Sequence, residues 1–318
     1  MRSPPSTAQF ATVEHMLRES GPVLQVESLT KRFRRSVTAV QDLTFTVEPG
    51  RVTGFLGPNG SGKTTTLRCL LGLVRPTSGR ALIDGVPYAS LPAPVLTVGA
   101  ALEASGFHPG RSARNHLRVV AAAAGLPDAR ADEVLEVVGL TDAARRRVVE
   151  FSLGMRQRLA LATALLGDPG ALILDEPANG LDPEGIAWLR THLRERAARG
   201  VTVLVSSHVL SEVQQTVDDV IIVSRGELVH AGPLSGLSPG GGVRVVVRSP
   251  DAQRLVPALL SAGTVSATTR DDGAVVVTGL TSAEVGHHAF VAGCEVHELS
   301  VEPDALERVF LDLTGGTT

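Results

Sequence analysis

The residues from Gly57 to Thr64, Gly-Pro-Asn-Gly-Ser-Gly-Lys-Thr, fit the pattern G-x-x-x-x-G-K-[ST]. Gly57, Gly60 and Gly62 let backbone N–H groups turn inward around phosphate oxygens, with Pro58, Asn59 and Ser61 completing the loop. A helix starting at Lys63 would present the positive end of its dipole to the same charge. Lys63 is placed to hold β- and γ-phosphates, and Thr64, followed by Thr65, to offer a hydroxyl to Mg²⁺. A glycine-rich turn alone has similar letters. Here an apolar stretch, RVTGFLG, reads as a strand before the loop, and KTTTLRCLLGL reads as a helix after it, which is the context the motif requires. Lysine usage agrees. Lys31 and Lys63 are the only lysines among 30 basic residues. A chain that otherwise writes arginine keeps lysine where a compact ammonium fits and a planar guanidinium does not.

Two more strand tips carry chemistry. The apolar run ALILDEP ends in Asp175 and Glu176. An acid at such a tip helps hold a Mg²⁺ shell, and an adjacent acid can polarise an attacking water. The next apolar run, VTVLVSSH, ends in His208, whose imidazole can donate to a γ-phosphate. Parallel strands deliver their C-terminal ends to one edge, where ligands bind. No Asn-Lys-x-Asp motif for reading guanine occurs.

These tips need a sheet to position them. The chain has 318 residues, 43% apolar, enough for one large core or two. Its net charge of −3 argues against a generic nucleic-acid binder. Cys69 and Cys294 make no disulfide framework, so a reducing compartment is expected. No apolar run approaches the ~18 residues of a membrane span. Residues 1–21 read as a flexible extension with a short helix at Ala8–Glu19 and no signal core. Strands are expected from Val23, then a helical block at about 90–165 rich in alanine, leucine and arginine. Strand–helix–strand units follow, with Pro183–Arg199 as a helix, and these imply a parallel sheet. The run LSPGGG at 237–242 reads as a linker. Beyond it, residues 243–318 read as a small α+β module ending in a helix at Asp304–Leu313.

Taken together, residues Val23–Pro233 resemble the nucleotide-binding subunits of ATP-binding cassette (ABC) transporters. Gly57–Thr64 resembles the Walker A loop and Ala171–Glu176 the Walker B strand. Asn179-Gly180-Leu181-Asp182 resembles the D-loop, His208 the switch histidine, and Phe33 the aromatic that stacks on adenine. Phe151–Met155 stands where the family carries Leu-Ser-Gly-Gly-Gln. Ser152 and the second glycine, Gly154, remain; Leu153 and Met155 depart. Glu103 stands where the family has its Q-loop glutamine, so a metal-ligating role there competes with that of a surface acid. Both departures are similar to the antibiotic-resistance type of exporter.

The resemblance implies an α/β P-loop NTPase cassette over 22–236, a mixed sheet with N-terminal antiparallel strands and an inserted helical subdomain, plus the C-terminal accessory module. It implies ATP and Mg²⁺ as ligands, with Thr64, Asp175 and Glu103 toward the metal and Lys63, Glu176 and His208 in catalysis. Phe33, Gly57–Thr65, Ser152, Gly154 and Asp182 would contact nucleotide. Partners would be a second ATPase subunit, as a homodimer, and a separate transmembrane permease. The subunit would then sit in the cytoplasm, peripheral on the inner membrane face. Two alternatives stay open: a non-transport ATPase of the same class, and a catalytically weak member of a heterodimer.

Overall fold

The computed structural model describes residues 20–33, 37–102, 106–209, 214–237, 244–261, 263, 266–270 and 272–302. The helices expected at Ala8–Glu19 and Asp304–Leu313, and the candidate ligand Glu103, lie outside the described residues. The chain divides into two compact units, Met1–Leu234 and Ser235–Thr318.

The first unit holds two sheets. Strands β1 (Leu24–Phe33), β2 (Val37–Val47) and β4 (Ser78–Ile83) form an antiparallel sheet in the order β2-β1-β4. A six-stranded sheet has the order β5-β6-β7-β3-β8-β9, built from β3 (Val52–Leu56), β5 (Val98–Ala101), β6 (Ala171–Asp175), β7 (Thr202–Ser207), β8 (Asp219–Ser224) and β9 (Glu227–Pro233). All its neighbours pair in parallel except β8 with β9. Every residue of β3, β6 and β7 is buried, as expected of strands covered on both faces. Strand β2 instead alternates buried and exposed positions toward its end, the pattern of a half-buried strand. One core cluster joins the sheets: Leu24, Val26 and Phe45 come from the antiparallel sheet, and Phe55, Ile173 and Leu204 from the other. Leu67 and Leu70 of helix α1 (Lys63–Leu70) are fully buried in the same cluster.

The expected helical block at 90–165 needs a correction. After a single helical turn, α2 (Pro94–Thr97), Val98–Ala101 is a strand that pairs with β6 from Val98↔Ala171 to Ala101↔Leu174. Four residues carry too little periodicity to announce it. Helices α3 (Ala113–Ala123), α4 (Ala129–Val137) and α5 (Leu153–Leu165) follow. Arg114 and Arg118 of α3 pair with Asp132 and Asp128, joining the first two. Helix α5 packs on β5, and Gly99 permits the approach. A Cβ at Gly99 would lie 2.0 Å from the Ala164 carbonyl oxygen. Helix α6 (Pro183–Ala198) connects β6 to β7.

The second unit has the sheet order β11-β12-β10-β13, formed by β10 (Arg244–Arg248), β11 (Ser266–Thr269), β12 (Val275–Thr278) and β13 (Glu298–Glu302), all antiparallel. Val245, Val247, Val275 and Val277 pack with Leu255 and Leu259 of α7 (Ala252–Ser261) and Val285 and Ala289 of α8 (Ser282–Val291). No helix among the described residues is long and apolar enough to cross a membrane.

Gly99→Ala tests the packing of α5 on β5. The obstructing atom is backbone, so relief requires moving the helix. The variant should lose roughly 1–3 kcal/mol of stability, read by denaturant unfolding.

Candidate active site

Strand register explains why distant residues meet. Asp175 pairs with Ser206, and Leu56 with Ser207, so the ends of β6, β7 and β3 lie side by side. The phosphate loop leaves β3, Asp175-Glu176 ends β6 and His208 follows β7.

The loop is shaped by its glycines. Gly62 caps α1 with φ 100°, in the left-handed region. A Cβ at Gly62 would lie 2.4 Å from the Ala39 carbonyl oxygen of β2, and one at Gly57 would lie 2.3 Å from that of Val223. Pro58, Asn59 and Gly60 are exposed at the loop tip. Ser61 Oγ is buried without a hydrogen-bond partner. An orphaned buried hydroxyl is costly. Its place inside this loop suits an incoming phosphate oxygen.

Lys63 is buried and donates from Nζ to the carbonyls of Gly57 at 2.6 Å and Pro58 at 3.2 Å. Its Nζ lies 3.8 Å from Glu176 Oε1. Burial pulls its pKa below the ordinary lysine value, with Glu176 and Asp175 pulling the other way. Thr64 Oγ1 donates to Asp175 Oδ2 at 2.7 Å. Hydroxyl and carboxylate are hard oxygen donors, the type Mg²⁺ takes, so these residues fit the expected cation. Glu176 Oε2 lies 2.9 Å from His208 Nδ1. Glu176 also has φ 48°, unusual for a side chain with a Cβ, at the point where the chain turns off β6. Thr65 is partly buried in the first turn of α1.

Other expected residues gather elsewhere. Ser152 caps α5, its Oγ accepting from the Met155 N–H at 3.2 Å. Gly154 faces Gly180, where a Cβ would meet the carbonyl oxygen at 2.6 Å. Asp182 caps α6 through the Gly185 N–H and lies 3.4 Å from Arg158 of α5. Ser152, Gly154, Gly180 and Asp182 line one depression, and no residue from Gly57 to Thr64 lines it with them. Leu153 is exposed and rests on Gly180, where a Cβ would lie 2.6 Å from its Cγ.

Phe33 stands exposed at the end of β1, so apolar core packing is not its role. It pairs with Val37, two residues before the Ala39 that touches Gly62, about 7 Å along the strand. The second lysine, Lys31, lies over its ring, Nζ 5.1 Å from the centroid. Ser206, which bonds both Asp175 and Glu176, was missed from sequence. Its only signal was a hydroxyl inside an apolar run.

A glycine-shaped loop, a buried lysine and two acids at parallel strand tips are the parts of a phosphate-loop nucleotide site. Comparison with known proteins makes this specific. Residues 40–179 match the ABC transporter family, and residues 243–307 match a domain of unknown function. The chain is 37% identical over 302 residues to the bacitracin transport ATP-binding protein BcrA of Bacillus licheniformis, covering 93% of this chain and 98% of that protein. It is 34% identical over 207 residues to the lantibiotic transport ATP-binding protein SrtF of Streptococcus pyogenes, covering 65% of this chain and 89% of the relative. A solved ATP-binding subunit of an ABC transporter superposes with a TM-score of 0.62 at 29% identity, covering 68% of this chain and 91% of that one. The chain belongs to the ATP-binding subunits of ABC transporters. It is an ATPase coupled to transport through a separate permease, which sets aside the non-transport reading.

Lys63→Arg should weaken binding of a fluorescent ATP analogue by about tenfold or more, because the buried slot between two carbonyls fits an ammonium and not a planar fork. Equilibrium titration of the purified chain checks this.

Proposed function

We propose that this subunit powers an exporter of antibiotic-type cargo by closing as a homodimer around ATP. The observation that carries the reading is the set of groups at one sheet edge, with Lys63, Thr64, Asp175, Glu176 and His208 linked by the contacts above. The cargo class is supported by relatives named for bacitracin and lantibiotic transport.

The loop N–H groups and Lys63 hold the β- and γ-phosphates, and Phe33 stacks on adenine. Mg²⁺, when bound, would neutralise phosphate charge, with Thr64 and Asp175 as the residues that would hold it. Glu176 accepts a proton from water. The water oxygen bonds to the γ-phosphorus as the bond from that phosphorus to the bridging oxygen breaks, leaving ADP and phosphate. His208 orients Glu176 through Nδ1 and meets the γ-phosphate.

Ser152 and Gly154 serve a different nucleotide. A capped helix start with a glycine offers N–H groups and a favourable dipole to an anion. The depression they line contains none of the chain's own phosphate loop. The anion therefore comes from a second copy, and Asp182 lies at the same contact. ATP binding closes the pair; hydrolysis reopens it. The permease docks on the helical segment and keeps the subunit on the cytoplasmic face of the membrane.

Glu176→Gln should lower kcat by about 10²–10⁴-fold, the range of a lost general base, while retaining ATP. Light scattering should then find an ATP-trapped dimer. Normal turnover would remove Glu176 from this role.

A further inference from the structure

Ser206 lies on β7, two residues before His208, and is completely buried. Its neighbours in the run Thr202–Val205 are mostly apolar, and a small apolar residue would fill the same space. A buried hydroxyl is costly unless it is hydrogen-bonded. This one makes two bonds, both to the acids at the tip of β6. It donates to Asp175 Oδ1, and it accepts from the Glu176 N–H at 3.0 Å. A hydroxyl has one proton and two lone pairs, so the two bonds do not compete.

The consequence falls on Asp175. Its other oxygen, Oδ2, accepts from Thr64 Oγ1 at 2.7 Å. The carboxylate is therefore gripped on both sides, by a hydroxyl from α1 and one from β7, and cannot rotate without losing a bond. The Glu176 N–H is fixed by the same oxygen at a residue held in the left-handed region. The adjacent Ser207 does not share this task. Its Oγ bonds the backbone of Val209, on the segment that carries His208. Successive residues of a strand face opposite ways, so two neighbouring serines divide the work.

We infer that Ser206 is a positioning residue for ATP hydrolysis. It locks Asp175 so that the Thr64 hydroxyl keeps its lone pairs toward the divalent cation. It also sets the Glu176 backbone so that the carboxylate meets the attacking water. This rests on the roles given above to Asp175 and Glu176. The same hydroxyl ties the spacing of the two acids to the strand that bears His208.

Ser206→Ala, Ser206→Cys and Ser206→Thr in the full chain test this. Cysteine keeps the volume with a weak donor, and threonine keeps the hydroxyl. The readouts are trinitrophenyl-ATP binding in EDTA, the Mg²⁺ midpoint for tight binding, steady-state ATPase rates and melting temperature. The alanine and cysteine variants should bind nucleotide in EDTA like the parent. They should need about 10–100-fold more Mg²⁺ and lose kcat by a similar factor, as when a partner of a metal-holding carboxylate is removed. At saturating Mg²⁺ their KM for ATP should stay within about threefold, since excess cation restores the ground-state complex and the remaining loss falls on kcat. Ser206→Thr should retain parental values. A parental Mg²⁺ midpoint and kcat in Ser206→Cys would overturn the inference. So would a loss of EDTA binding and melting temperature shared by all three variants, which would mark a packing residue. A parent chain without ATPase activity, or normal turnover by Glu176→Gln, would fault the catalytic reading itself and not Ser206 alone.

Discussion

A buried ammonium and a buried carboxylate share one edge of the central sheet, and the local structure is arranged to keep both solvated by protein. Removing either from water costs several kcal/mol unless partners replace the lost hydration. Lys63 receives two loop carbonyls and the field of Glu176. Asp175 receives two hydroxyls, from Thr64 and Ser206. These bonds demand that three strands end together, and the parallel register of β3, β7 and β6 provides that alignment. The antiparallel sheet then closes the loop from behind, where Ala39 of β2 leaves no room for a Cβ at Gly62.

The Phe151–Met155 segment solves a different problem with similar means. Ser152 and Asp182 each cap a helix, and the two helix starts meet through Gly154, Gly180 and Arg158. Leu153, where the family pattern has glycine, packs on Gly180 and leaves the cap intact. The departure from the pattern thus changes the exposed surface at the helix start and leaves the Ser152 cap in place.

Much of this was legible in the sequence because the chemistry admits few residue types. Only glycine fits the loop at Gly57 and Gly62, and lysine in a chain whose basic residues are otherwise almost all arginine marks Lys63. Asp175 and Glu176 stand out because acids end an otherwise apolar run. Other features left little trace. Strand β5 is four residues long and shows no periodicity, so it merged with the helices around it. Ser206 acts on partners about thirty positions away, a relation set by strand pairing and invisible to local pattern. Phe33 is exposed at the end of β1, a placement that an aromatic residue type does not announce by itself.

The central claim is that the nucleotide held by one chain's phosphate loop is completed by Ser152 and Gly154 of another. Disulfide trapping between chains tests it directly. One chain would carry Ser152→Cys, the other Asn59→Cys, both in a Glu176→Gln background; the native Cys69 and Cys294 are buried. The account predicts a disulfide joining the two different chains, formed with ATP and absent without it. A chain carrying both cysteines that closes the bond within itself as a monomer, or mixed chains that never join while ATP is bound, would contradict it.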